Sequence, residues 1–247
     1  MRQKKDYMLR YYPESRFGGF TDVDGTIAFY MRVRSLIAPD AVVLDIGCGR
    51  GAFADDPVQV RRELRIFKGH CKRVIGIDVD ARAKQHPFLD EFRLIEGPRW
   101  PVEDASVDLC VNDFVLEHVT DPGQFFAECS RVTRPGGYVC IRTPNALNYI
   151  SLLARLVPNR RHAAVLDKVL YADRPEEDTF PTVFRCNTTR RLRRALSRHG
   201  FEPCVYGFEA EPYHLGFCRP AYLCGVLHQR FAPRYFKTTL FAFARRK

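Results

Sequence analysis

An acid followed by three glycines at alternate positions is the stretch of this sequence best suited to chemistry. Asp45-Ile46-Gly47-Cys48-Gly49-Arg50-Gly51 follows the apolar run Ala41-Val42-Val43-Leu44. The pattern reads as a buried strand entering a tight turn. Glycines there admit positive φ and let a ligand lie directly against the backbone. A pyrophosphate fits poorly, because the Gly-x-Gly-x-x-Gly spacing is not met, no Gly-Lys-Ser/Thr pair follows, and Asp45 would set a negative charge beside the anion. An acid at a strand end, where open α/β sheets bind ligands, suits a cationic, amine-bearing molecule better.

The elements that must position these residues follow from periodicity. Apolar strands are predicted at residues 41 to 46, 73 to 78, 91 to 95, 107 to 112 and 137 to 143. Helices are predicted at 27 to 37, 55 to 69, 80 to 86 and 122 to 133. Strand and helix in alternation imply a parallel sheet with right-handed crossovers. Thr188 is placed to cap a further helix with Leu192, Ala195 and Leu196 facing inward and Gly200 ending it. Residues 201 to 207 and 236 to 244 read as a closing strand pair, the last beginning near Phe236.

Leu44-Asp45-Ile46-Gly47-Cys48-Gly49 resembles motif I of the class I S-adenosylmethionine-dependent methyltransferases, and the rest of residues 40 to 146 follows that family's order. Arg73-Val74-Ile75-Gly76-Ile77-Asp78 is similar to its second strand, Glu96 before Pro101 to its third acid, Val107 to Val119 to its fourth strand and following helix, and Arg131 to Tyr138 to the turn into its next strand. The resemblance implies an α/β, Rossmann-like fold with a seven-stranded, mostly parallel sheet and helices on both faces. It implies S-adenosyl-L-methionine as cofactor, held by Asp45, Gly47, Cys48, Gly49, Asp78, Val79, Glu96, Gly97 and Asn112. Asp78 would hold the ribose hydroxyls and Glu96 the adenine amine. Within one domain, residues 1–38 are expected to form an N-terminal lid, 39–146 the cofactor core, 147–190 a substrate-side insertion and 191–247 the C-terminal part. In the lid, Arg16 is expected to pair with the cofactor carboxylate, and Tyr11, Tyr12 or Phe29 to cover it.

His118 is the candidate base, since imidazole titrates near neutrality and follows the strand where the methyl donor belongs. The same Glu117-His118 pair is structural in many relatives. In some ubiquinone-pathway enzymes two carboxylates and a histidine on this helix hold a metal at i, i+3 and i+4. Here Phe114 stands at the first position and Asp113 is out of phase by about 100°, so no metal is expected. Tyr149, His162, Tyr171, Arg185 and His214 are further candidates for acceptor contacts.

The composition fits one enzyme-sized domain of 247 residues, 46% hydrophobic. No run of about eighteen apolar residues and no apolar leader is present, so the chain is expected to be cytoplasmic. Nine cysteines without a Cys-x-x-Cys pair suit reduced thiols. Residues 1 to 150 balance 21 Lys and Arg against 21 Asp and Glu, whereas 151 to 247 carry 18 against 8. The excess of +10 therefore sits on the substrate side and suits an anionic small-molecule, glycan or lipid-linked acceptor, or an anionic membrane surface. Nucleic acid is less favoured: Asn112-Asp113-Phe114-Val115 lacks the Asn/Asp-Pro-Pro-aromatic tetrad that grips a flipped adenine. Transfer to a hydroxyl is the leading reading, with RNA methylation or an inactive cofactor-binding partner protein as alternatives.

Overall fold

The computed structural model describes residues 2–149 and 181–247. Seven strands form one sheet: β1 (Val42–Ile46), β2 (Arg73–Asp78), β3 (Glu91–Leu94), β4 (Val107–Asp113), β5 (Thr133–Pro144), β6 (Phe201–Phe208) and β7 (Thr239–Arg246). Their spatial order is β3-β2-β1-β4-β5-β7-β6. All neighbours are parallel except β7, which runs against both β5 and β6. The chain reverses its direction of travel across the sheet between β1 and β4, and at such a switch point the carboxyl ends of the strands open a crevice.

Strand alternation sorts the core into two layers. Val42, Leu44 and Ile46 pack with Phe125, Phe126, Cys129 and Val132 of α4 (Pro122–Val132) and Leu192 and Leu196 of α5 (Thr189–Arg198). On the opposite face Val43, Leu109, Val111 and Phe241 pack with Phe29, Tyr30 and Val33 of α2 (Gly25–Ser35) and with Leu64 of α3 (Gln59–Arg65). A third cluster joins α1 (Arg2–Tyr11) to α6 (Arg219–Phe231) through Tyr7, Met8, Tyr12, Tyr222 and Val226. Helix starts are capped as local chemistry dictates: Asp24 accepts from the Thr26 and Ile27 amides, Asp121 from Gln124 and Thr188 from Arg191. Gly200, at φ +82°, ends the turn after α5.

Several boundaries depart from the periodicity. The helix expected at 55 to 69 is a 3-10 turn, Ala52–Asp55, and the short α3, because Pro57 interrupts the run and the Asp56 carboxylate takes the Val58 amide. The stretch 80 to 86 is a 3-10 turn, Ala81–Gln85, capped by Asp80 and ended before Pro87. Asp24 starts α2 at Gly25, two residues before the expected 27. Strand β7 begins at Thr239 because Arg234–Phe236 form a turn after Pro233. Glu117 and His118 lie on a 3-10 turn, Leu116–His118, so the helical phase that compared Asp113 with a metal motif does not apply. Helix α1, outside the predicted helices, is held by Tyr7 and Tyr11, four residues apart on one face, against Tyr222.

No helix among the described residues is long and apolar enough to cross a membrane. All nine thiols are unpaired, and Cys110, Cys129 and Cys140 are packed in the core, where burial pushes their ionisation up.

Candidate active site

The glycine turn after β1 holds the conformation that its sequence demands. Gly47, Gly49 and Gly51 have φ of +67°, +56° and +75°. The Gly47 and Cys48 amides donate to the Ile77 carbonyl at 2.8 and 3.3 Å, and the Gly49 amide to the Asp78 carboxylate at 2.9 Å, so the turn is laced to the end of β2. A Cβ on Gly47 would collide with Val115, whereas one on Gly49 would meet nothing within 4 Å. The first glycine is thus required by packing, and the second keeps space open. The other Asp78 oxygen accepts the Asp80 amide at 2.9 Å. A carboxylate offers about four lone-pair sites, so two remain for a ligand's hydroxyls.

This turn forms one wall of a cavity of about 1220 Å³ at the carboxyl ends of the strands. Asp45, Gly47, Cys48, Gly49, Asp78, Val79, Gly97 and His118 all line it, from four separate parts of the chain. Burial, then the neighbouring Asp113 and Asp78, push the Asp45 carboxyl up to about 7. A carboxylate so short of positive partners is completed by a cation.

Three expected residues stand elsewhere. Arg16, on the 3-10 turn Pro13–Arg16, and Glu96, after β3, are both solvent-exposed and do not line the cavity. Asn112 is fully buried near the end of β4, off the cavity wall, with neither side-chain atom hydrogen-bonded. Tyr12 and Phe29 are core residues: Phe29 packs against Phe241 and Phe243, and its neighbour Tyr30 reaches the cavity instead. Tyr149 and His214 are joined by a 2.7 Å hydrogen bond, off the cavity wall, and Arg185 is exposed. His162 and Tyr171 lie outside the described residues.

The cavity also holds an ionic floor. Arg142 of β5 forks onto Asp113 of β4, with Nε to Oδ1 at 2.5 Å and Nη2 to Oδ2 at 2.6 Å, while the Tyr30 hydroxyl donates to Oδ2 at 2.9 Å. Burial raises the Asp113 carboxyl, but Arg142 and Tyr30 outweigh it and hold it below the usual range. Arg65 lies 5.6 Å from both the Tyr30 and Phe53 ring centres, and its Nε is buried without a partner. Arg61 is already committed to Asp24 and Asp56. Glu211 accepts from the Thr21 hydroxyl at 2.9 Å, and burial, then Asp24, push its carboxyl up to about 7. One signal for this floor was present in the sequence: Arg142 interrupts the apolar run Val139-Cys140-Ile141, and a charge inside a buried strand requires a partner.

His118 Nδ1 lies 3.1 Å from the Pro181 carbonyl, which can only accept, so in the neutral ring this nitrogen carries the hydrogen. Nε2 lies 3.9 Å from Glu117 Oε1, and buried Glu117 accepts from the Thr143 hydroxyl at 3.0 Å.

A Rossmann-like, mostly parallel sheet with a glycine turn and two acids lining the crevice at its switch point has the architecture of the nucleotide-binding α/β class. The methyltransferase domain family matches residues 44–141, which span that turn, Asp78 and the strand carrying Arg142's neighbours. A Mycolicibacterium smegmatis protein named as a probable S-adenosylmethionine-dependent methyltransferase is 40% identical over 112 residues, covering 43% of this chain and 39% of that one. The malonyl-[acyl-carrier protein] O-methyltransferase of Yersinia pestis is 32% identical over 127 residues, covering 49% of this chain and 44% of that one. A chain of the Haloferax volcanii complex between the Trm112 methyltransferase activator and a methyltransferase shares the fold with a TM-score of 0.58, at 16% identity, over 99% of this chain and 96% of that one. The matched stretch therefore spans less than half the length of either curated relative. Residues 44–141 are thus similar to methyltransferase domains, among them that of a relative named as S-adenosylmethionine-dependent.

Proposed function

We propose that this chain binds S-adenosylmethionine in the cavity at the ends of β1, β2 and β4 and transfers its methyl group to a hydroxyl of a small-molecule, glycan or lipid-linked acceptor. The observation that carries the reading is the meeting of Asp45, the open face of Gly49 and Asp78 on one wall. The group fits these residues. Asp45 gains a cation in the amino group of the methionine part, and Asp78 keeps lone pairs for ribose hydroxyls. Val79 and Gly97 border the place for the base. Arg65, on the cavity wall beside Tyr30 and Phe53, takes the carboxylate role first expected of Arg16.

When bound, the cofactor supplies an electrophilic methyl on its sulfonium. The protein's share is alignment, exclusion of water and removal of the acceptor proton. The cavity exceeds the upper range of about 300–1,000 Å³ typical for one ligand site, which leaves room for an acceptor beside the cofactor. His118 is assigned the proton: its Nδ1–H is anchored on Pro181, and the ring borders the cavity next to Phe114 and Val115. An acceptor bearing an anionic group is favoured by Arg50, which also lines the cavity.

Calorimetric titration with S-adenosylmethionine and S-adenosylhomocysteine tests the reading. Micromolar binding lost in Asp45→Ala and Asp78→Ala supports it; absence of binding to the unmodified chain removes it.

A further inference from the structure

Helix α6 buries one face and presents an apolar stripe on the other. Tyr222, Gly225 and Val226 are covered by α1 and by Pro212. Leu223, Leu227 and Phe231 recur at i, i+4 and i+8 and are 40%, 48% and 77% exposed. Exposed apolar residues scattered singly are ordinary; a run of them along one element is not. Phe217 precedes the stripe and Tyr235 and Phe236 follow it, all exposed. Most of the exposed large apolar side chains of the described residues therefore fall between residues 213 and 236.

The charge carried along this segment of the chain has one sign, and the acids packed near the helix, Glu209 and Glu211, are not exposed. Residues 212–247 contain seven Lys or Arg and no Asp or Glu. Arg219 and Arg230 are exposed and project to one side of the stripe, about 40–60° of helix rotation from Leu223 and Leu227. Arg234 is exposed just beyond the helix end. A helix with apolar residues along one line, arginines beside it and no acid in its own segment matches the interfacial zone of an anionic bilayer, with acyl chains for the stripe and phosphates for the arginines. Tyr213 and Tyr235 suit the same zone, where a ring lies in the apolar layer and its hydroxyl in water.

We infer that α6 and its flanking turns form a docking surface for an anionic lipid bilayer. Tyr213 belongs both to this surface and to the cavity wall, so docking brings the cavity toward the headgroups. The inference specifies the surface for a lipid-linked acceptor, but the docking itself does not depend on methyl transfer.

Flotation of the full chain with vesicles of phosphatidylcholine alone, or mixed with phosphatidylglycerol, tests it at several salt concentrations. The chain is expected to float only with the anionic vesicles, and less as salt rises. Leu227→Asp with Phe231→Asp should weaken binding more than about tenfold, with thermal midpoint, circular dichroism and S-adenosylmethionine affinity unchanged. Arg230→Gln with Arg234→Gln should weaken it about fivefold per arginine and flatten the salt dependence. Failure of the unmodified chain to float overturns the inference, as does undiminished flotation of Leu227→Asp with Phe231→Asp. A chain that does not float and is dimeric until the stripe is charged assigns the surface to a second copy and equally overturns it. Loss of flotation with cofactor binding intact leaves the methyltransferase reading standing, so the two fail separately.

Discussion

Arg142 and Asp113 form a two-pronged ion pair across neighbouring strands beneath the cavity, closed from above by the Tyr30 hydroxyl. Arg142 is 4% exposed, and its Nη1 also donates to the Thr26 hydroxyl at 2.9 Å, tying β5 to the start of α2. Removing one partner leaves the other charge buried and unpaired. Arg142→Met should therefore cost about 3–5 kcal/mol of stability, and adding Asp113→Asn should recover part of that loss. Urea denaturation of the two variants measures both.

Gly47 and Gly49 share a left-handed backbone but differ in surroundings, so alanine should separate packing from ligand space. Gly47→Ala combines backbone strain with the clash against Val115 and should unfold at lower urea than Gly49→Ala. Gly49→Ala carries strain of about 1–2 kcal/mol without a clash in the protein. Its larger effect should be on S-adenosylmethionine affinity, by about tenfold or more. Equal affinity in Gly49→Ala and the unmodified chain would show that the open space is not used by the ligand.

The raised ionisation of Asp45 sets a pH dependence of cofactor binding. Burial and the neighbouring acids outweigh Arg65, so the group keeps its proton up to about 7; an ammonium directly beside it favours the ionised form. Binding at about pH 6, above the ordinary aspartate value of about 3.9, should release a proton, and affinity should climb with pH and level off above about 7. Calorimetry in two buffers of different ionisation heat detects the release. It should vanish in Asp45→Asn.

Among the cavity side chains that can take a hydroxyl proton are His118 and Glu211, and kinetics separates these two. With His118 as base, His118→Gln lowers kcat by about 10²–10⁴-fold and leaves KM nearly unchanged. Glu211→Gln then acts mainly through KM. Because Glu211 ionises at about 7, the opposite ranking would be accompanied by a rise of kcat through that pH which disappears in Glu211→Gln.

How much of this could be read along the chain depends on the range of the interaction. The central strands were legible because each buries an apolar run that a short window captures, whereas β3 is only half-buried and β5 starts at Thr133, before its apolar run; the Asp45 turn was legible because its glycines have a local conformational cause. Helix ends shifted wherever a proline or a capping carboxylate outweighed periodicity, as at Pro57 and Asp24. The Arg16 assignment rested on segment order, yet the turn bearing Arg16 leaves it in solvent while α3 brings Arg65 to the wall. Tyr30 and Phe29 are adjacent, and only the roll of α2 against β7 decided that Phe29 enters the core and Tyr30 the cavity.

The sequence by itself determined the alternation of strand and helix, the glycine turn and the acid near the end of β1, because each is encoded by neighbours within a few residues. Tertiary structure alone decided which polar side chains gather around the cavity with that acid. The Arg142 and Asp113 pair is 29 residues apart, Thr21 and Glu211 are 190 apart, and Arg65 meets Thr26 across 39. Such contacts arise only when the parallel crossovers stack the ends of β1, β4 and β5 around one crevice, where low dielectric makes each unmatched charge costly and so fixes its partner.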